Sequence, residues 1–270
     1  MMMPEGANWL LFYQHYNATH FKDNGGHDNP KLAEFHLGSN ALAPRLSYVW
    51  PGVRVFGANV ETRVVQPILS VDLDMRVARP APLPPLDRGG NKSGLADVSF
   101  SPVILGWHWP SFHHMFGLET HLKTGAYSVN DPVNIGRNYY QFAPNYAFTW
   151  FPAPDFDVSA KFRYGFNTRN TATNYQSGDE ASIEFSSGYR ASSHLSLGVN
   201  GYFYLQTTDD IQNGVRVNGN GNRGRVTALG PYVSYQVSPS LSFAVKAQFE
   251  FAARNRPQGT RIWALARMHF

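Results

Sequence analysis

Leu241-Ser242-Phe243-Ala244-Val245-Lys246-Ala247-Gln248-Phe249-Glu250-Phe251 alternates without a break. Large apolar side chains hold the odd positions, apart from one alanine, and small or polar ones hold the even positions. Side chains of a β-strand point to opposite faces in turn, so this period of two predicts a strand with one oily and one wet face. Phe156 to Asn167 repeats the pattern, with Phe156, Val158, Ala160, Phe162, Tyr164 and Phe166 opposite Asp157, Ser159, Lys161, Arg163, Gly165 and Asn167. Leu195 to Gln206 follows it again. Helical spacing is nearly absent.

Twelve segments alternate in this way: 7–21, 41–50, 55–75, 95–107, 114–128, 139–150, 156–167, 181–190, 195–207, 226–237, 241–251 and 260–270. Their connectors also alternate. One set is short, around Pro51-Gly52, Trp109-Pro110-Ser111, Pro152-Ala153-Pro154, Ala191-Ser192-Ser193 and Ser238-Pro239-Ser240. The other set is mostly long: 22–40, 76–94, 129–138, 168–180 and 208–225, with a brief 252–259. A weak repeat runs through the short set. Trp150, Tyr189 and Tyr235 each end a strand, a polar turn follows, and an alternating strand leaves.

Composition narrows the class. The chain has 270 residues, 16% charged and 14% aromatic, with no Cys. Disulfides and thiolate metal sites are excluded. No apolar stretch approaches the roughly 18 residues of a membrane-spanning helix. The net charge of +4 is spread singly rather than in a basic run, which argues against a nucleic-acid partner. The first six residues, Met1 to Gly6, have neither a charged nor an apolar signal region, so an export signal is expected to have been removed.

A soluble β-sandwich also alternates, but the aromatics decide. Trp50, Trp107, Trp150, Tyr189, Tyr235 and Phe270 close segments two, four, six, eight, ten and twelve. All six ends belong to the short-turn side. Amphipathic rings gather where membrane meets water, so these residues predict half of an aromatic girdle. Trp107 fits least well, because it shares parity with Asp97 and Ser99; either it points inward or a bulge near Pro102 flips it. The fold expected is all-β: a transmembrane antiparallel β-barrel of twelve strands with short periplasmic turns and longer extracellular loops. Residues 1–8 form an N-terminal segment and 9–270 a single barrel domain.

Several pieces resemble one family. They are Gly94-Leu95-Ala96-Asp97-Val98 with Ser101-Pro102-Val103-Ile104-Leu105-Gly106-Trp107, and His121-Leu122-Lys123-Thr124-Gly125-Ala126-Tyr127. Gly136-Arg137-Asn138-Tyr139, Lys161 to Asn170 with its closing Asn167-Thr168-Arg169-Asn170, and Gly230-Pro231-Tyr232 continue the likeness. This stretch is similar to the outer-membrane channel family named for the meta-cleavage pathway of phenol degradation. The resemblance implies a barrel channel in the outer membrane of a Gram-negative bacterium, often associated with uptake of hydrophobic or aromatic compounds. It implies no catalytic residues and no cofactor. Outer-membrane lipid, lipopolysaccharide and small solutes are the partners expected of a monomer.

With the oily parity given to lipid, the other parity lines the lumen. It holds Glu119, His121 and Lys123; Asp157, Lys161 and Arg163; Glu184 and Arg190; Lys246 and Glu250; and Arg261, Arg267 and His269. Tyr202, Tyr204 and Trp263 join them as aromatic positions. Glu61 and Arg63 are odd whereas Asp72, Asp74 and Arg76 are even, so a bulge between Val64 and Leu69 is expected to bring all five inside. The mixed charges read as ion-pair networks filling the barrel, or as a constriction that selects by charge with a mild preference for anions. The aromatic inner positions read as packing or as an apolar path. Pro67, Pro102, Pro144 and Pro231 read as bulges in the wall, or as a weak seam for sideways exit. His194 and Ser196 share a face, which leaves a lipid hydrolase as a minor alternative, beside a pore without substrate preference. His108, His113, His114 and His121 lack the spacing of a metal site, and none is expected.

Overall fold

The computed structural model describes residues 2–269. Twelve strands close into an antiparallel barrel. They are β1 Gly6–Lys22, β2 Leu32–Val55, β3 in two pieces Ala58–Val65 and Ile68–Val77, and β4 in two pieces Gly90–Leu95 and Ser99–His108. Next come β5 Phe112–His121, β6 Gln141–Ala153, β7 Phe156–Asn167 and β8 Glu180–Arg190. β9 Leu195–Gln206, β10 Arg225–Ser238, β11 Leu241–Arg254 and β12 Arg256–His269 complete the wall. Each strand pairs with its neighbours in sequence, and β1 pairs with β12 from Asn8↔His269 to Lys22↔Arg256.

Closure comes with tilt. Following cross-strand partners once around from Asn8, through Ser47 and Arg63, leads back to β1 at its far end beside Lys22. An offset of almost a whole strand around twelve staves corresponds to strands inclined by roughly 45°. Each residue then climbs about 2.3 Å, so about 11 residues cross an apolar band of about 25 Å. β7, β8 and β9, with 12, 11 and 12 residues, just manage this. β2, with 24 residues, stands well above the band.

The short turns join β2–β3, β4–β5, β6–β7, β8–β9 and β10–β11. The β2–β3 turn is not at Pro51-Gly52. The strand continues to Val55 and reverses at Phe56-Gly57, both with positive φ (50° and 75°). Trp50 to Val53 form an irregularity in the β2–β3 register instead. The 252–259 loop shrinks to Asn255, at φ 49°, because both flanking strands extend to it. The segment starting at 114 ends at His121 rather than 128.

The outer face is apolar, as the alternation requires. Phe162, Phe166, Phe185, Val199, Phe203, Phe243, Val245 and Phe249 are all exposed on it. At the short-turn end Trp50, Trp150, Phe156, Tyr189 and Tyr235 are exposed outward, at nearly one height once the tilt is allowed for. Trp107 also faces outward. The register slips between Phe100 and Ile104, around Pro102, and that bulge reverses the side of every later residue in β4. Trp107 stacks on His114 at 4.9 Å, and Trp109 stacks on His114 at 5.1 Å. Phe270 lies outside the described residues.

Three inward placements on β3 are overturned. Asp72, Asp74 and Arg76 lie on the outer face of β3 and are exposed. No bulge intervenes, because Arg45↔Val65 and Leu42↔Ile68 belong to one continuous register across Gln66-Pro67. Leu69, Val71, Leu73 and Met75 therefore take the inner side. Asp74 lies 3.6 Å from His36, and the outward Arg76 pairs with Glu34 at 3.2 Å. This part of β3 stands at or above the upper edge of the apolar band, where an outward charge meets water and headgroups. Lys123 is the other correction. β5 ends before it, and its ammonium lies exposed, 5.2 Å over the ring of Tyr140.

Phe162 sits about midway up the band on the lipid side. Phe162→Arg is expected to destabilise the barrel by about 2–4 kcal/mol. Denaturant titration of the protein refolded into phospholipid vesicles measures this; an inward Ser159→Arg control should cost clearly less.

Candidate functional site

The register gives every inner side chain a height and a sector. Glu61, Arg63, Glu119, His121, Asp157, Lys161, Arg163, Glu184 and Arg190 all project inward. So do Tyr202, Tyr204, Lys246, Glu250, Arg261, Trp263 and Arg267. The structure divides these groups between a packed half and an open half of the lumen.

In the packed half, beside β1 to β5, Met2 and Met3 fold in and cluster with Leu10, Val49, Ile104 and Met115. The Met2 side chain packs directly on Gly106, where a Cβ would lie 2.7 Å from the Met2 methyl. Alongside, Glu61 is fully buried between Arg63 at 2.8 Å and Arg45 at 3.6 Å. A second network joins Glu119 to His121 at 2.9 Å, Lys161 at 3.5 Å and Arg163 at 3.6 Å. Arg163 also reaches Glu180 at 3.2 Å and hydrogen-bonds Gln141. Gln141 in turn donates to Asn167 at 2.6 Å and to Glu180 at 2.8 Å. Carboxylates taken this far from water need such partners, since an unpaired one costs several kcal/mol.

Glu250 anchors the β11–β12 seam. It accepts from Tyr16 at 2.8 Å, from Tyr202, and from the Gly259 N–H at 2.8 Å, and pairs with Arg261 at 3.2 Å. The ladder between β11 and β12 stops at Phe249↔Thr260, so the carboxylate takes over one backbone donor. The Arg261 guanidinium lies between the rings of Tyr16 and Tyr202, at 5.1 and 4.9 Å.

The open half faces β8 to β12. Three cavities follow one another along it. One of about 590 Å³ at the loop end shares Arg256 with a central one of about 320 Å³. The central one shares Ala244 and Leu265 with a third of about 350 Å³ at the short-turn end. Phe12, Tyr202, Tyr204 and Trp263 line the centre together with Glu184, Lys246 and Arg261. A side recess of about 200 Å³ beside Lys161 and Glu184 opens from it. The third cavity holds Arg190, Ser196 and Arg267.

Sequence parity missed several of these residues. Arg256 fell within a supposed loop, and Glu180 lay just outside its segment. Arg45 and Tyr16 had the right parity but were passed over, Tyr16 because its strand is apolar on both sides. Asp97 is given no role by the alternation beyond its place in a motif and its parity with Trp107. It sits where β4 breaks, is buried, and accepts from the Gly125 and Arg137 N–H groups at 2.8 Å each. It thereby ties down loop 122–140, whose Pro132 and Ile135 lie against Gly90 and Gly94 on the inner wall. Asn170 joins the same knot through Asn138 at 2.9 Å and the Arg137 carbonyl at 3.3 Å. Loops 168–179 and 207–224 meet in a small three-stranded sheet. There Asp209 pairs with Arg216 at 2.7 Å and Arg223 at 2.6 Å, and the Arg223 guanidinium holds its carboxyl below the usual carboxylate range. That pairing is complete above the ordinary carboxylate pKa and is lost only as pH falls through the lowered one.

The sequence profile of the family described as "Putative MetA-pathway of phenol degradation" matches residues 18–266. The chain belongs to this family. Gly94, Asp97, Gly125, Gly136, Arg137, Asn167 and Asn170, which belong to the stretches that carry the resemblance, are gathered at the loop knot and the network below it. Among solved structures, an outer-membrane channel from Pseudomonas putida F1 matches with a TM-score of 0.83 at 16% identity, covering 100% of this chain and 97% of that one. The β domain of the Bordetella autotransporter BrkA matches with a TM-score of 0.55 at 12% identity, covering 99% and 100%. These likenesses establish the barrel fold, which is that of the outer-membrane channels and porins. No curated protein sequence matches the chain.

His194 and Ser196 both border the third cavity, but no hydrogen bond joins them among the described residues. His194 lies 2.8 Å from the Gln236 carbonyl and stacks on Tyr235, with no carboxylate at hand. Nor do three or more metal-ligating groups converge anywhere among them. His108 and His113 bond to each other at 2.9 Å.

Asp97→Ala is expected to free loop 122–140 without opening the wall. Limited trypsin digestion of the folded protein should cut after Arg137 several-fold faster than in the wild type, whereas heat-modifiable migration on gels stays unchanged.

Proposed function

We propose that this protein is a passive channel for small hydrophobic or aromatic solutes, acting as a monomer in the outer membrane of a Gram-negative bacterium. The chief support is the file of three cavities, each sharing residues with the next, that runs from the loop end to the short-turn end beside β8–β12. An inner wall bearing Phe12, Tyr202, Tyr204, Trp263 and Leu265 offers apolar surface the whole way through the centre. The lumen is narrow because half of it is filled with side chains, in keeping with twelve strands, which lie between filled eight-stranded barrels and open sixteen-stranded porins. A closed wall also has no free edge to which a second copy could add, which favours the monomer.

Charge without a salt bridge along the path is mainly positive, with Glu184 the one such carboxylate lining the central cavity. Glu61, Glu119, Glu180 and Glu250 are each held by cations or hydroxyls in the packed half or at the seam. Arg190, Lys246, Arg256 and Arg267 have no carboxylate partner within salt-bridge distance among the described residues, and all four border the open cavities. Small anions are therefore favoured over cations. In planar bilayers under a KCl gradient, the reversal potential is expected on the chloride side. Arg256→Glu with Arg267→Glu should lower the anion-to-cation permeability ratio at least about fivefold, since a charge near a passing ion is worth about 1 kcal/mol even in water. Cation selectivity of the wild type would reject the preference. Failure of a deletion strain to lose uptake of aromatic solutes would reject the transport role.

A further inference from the structure

We propose that the central cavity is a binding site for small aromatic monocarboxylates, with the ring on Trp263 and the carboxylate on Lys246. The inference rests on the channel reading above and names its substrate class.

Lys246 and Trp263 are direct cross-strand partners on β11 and β12, and both face the lumen. Such partners have Cβ atoms about 5 Å apart, so ammonium and indole stand side by side. That spacing matches an aryl carboxylate, whose charge is fixed one bond from its ring. The indole is held in place, because its Nε1 donates to Gln248 at 3.0 Å. Phe12 and Leu265, which are also paired across strands, extend the apolar floor below it. The ammonium lies 6.0 Å over the Tyr232 ring and has no ion pair among the described residues. Glu184, the one carboxylate of this cavity, makes no salt bridge among the described residues; it borders both the cavity and the side recess together with Lys246, close enough for its charge to act on the ammonium but not within salt-bridge distance. Above, the Arg256 guanidinium lies 3.9 Å over the Tyr204 ring; below, Arg267 stands at the exit. Cation and ring thus alternate from entrance to exit. An aromatic anion meets both kinds of partner at every step, whereas chloride meets one and a neutral arene the other. At about 320 Å³ the cavity has room for a single-ring acid.

Binding is tested by calorimetric titration of the detergent-solubilised, folded barrel with benzoate, acetate and benzyl alcohol at pH 7. Benzoate is expected to bind at one site, at least about tenfold more tightly than either of the others, as one charge-assisted contact implies. Lys246→Gln should weaken benzoate about tenfold and leave benzyl alcohol unchanged. Lys246→Arg should restore most of the loss, and Trp263→Ala should weaken both ring-bearing ligands. Equal binding of benzoate and acetate, or an unaltered benzoate affinity in Lys246→Gln, overturns the site. Chloride conductance of the same preparations reads the channel separately. A barrel that binds benzoate but passes no current refutes transport and upholds the site; one that conducts but does not distinguish the three ligands does the reverse.

Discussion

Hydrocarbon offers no partner for a backbone N–H or C=O, and each one left unpaired there costs several kcal/mol. The β1–β12 ladder, which runs from Asn8↔His269 to Lys22↔Arg256, removes the last free edge. Once the wall is closed, the rest of the architecture has little freedom. Twelve strands with this offset must tilt steeply, and the tilt fixes how many residues cross the membrane. The strands of β7 to β9 match that number, and the aromatic strand ends fall at one height. The same closure turns the usual partition of side chains inside out: rings and branched chains meet lipid, while charges face one another.

Inside, burial decides which charges can stay unpaired. Glu61 and Glu119 lie deep among packed side chains and are matched with arginine, lysine or histidine. Cations on the β8–β12 side border open cavities instead of packed side chains, and no carboxylate among the described residues lies within salt-bridge distance of them. The packed half is consequently a rigid filler and the open half a path. The knot at Asp97 serves the filler, holding loop 122–140 over the inner wall of β4. Several of the stretches that carry the family resemblance converge there, where the lumen is narrowed. The residues that face solute along β11 and β12 belong to plain alternating strands and form no motif.

Alternation was enough to read Leu241–Phe251, Phe156–Asn167 and Leu195–Gln206 as strands, and the aromatic ends were enough to read the membrane. It was enough, too, for most inward residues, because a period of two leaves only one choice of face once lipid is assigned. It failed at Asp72 and Asp74. The premise that every charge must point inward holds within the apolar band, and the upper part of β3 reaches its edge and continues beyond. A bulge was therefore supposed where the register is continuous, whereas a real bulge at Pro102 was visible only as a misfit at Trp107. Lys123 failed for a related reason, since parity carries no meaning after a strand has ended.

The chain alone determined the class of fold, the number of strands and the sidedness of nearly every strand residue, because these follow from local periodicity and the chemistry of the solvent around it. Tertiary structure decided where strands end relative to the membrane, which charges pair, and which half of the lumen stays open. Those outcomes depend on register around a closed ring and on contacts between residues as distant as Tyr16 and Glu250. No window of sequence contains both partners.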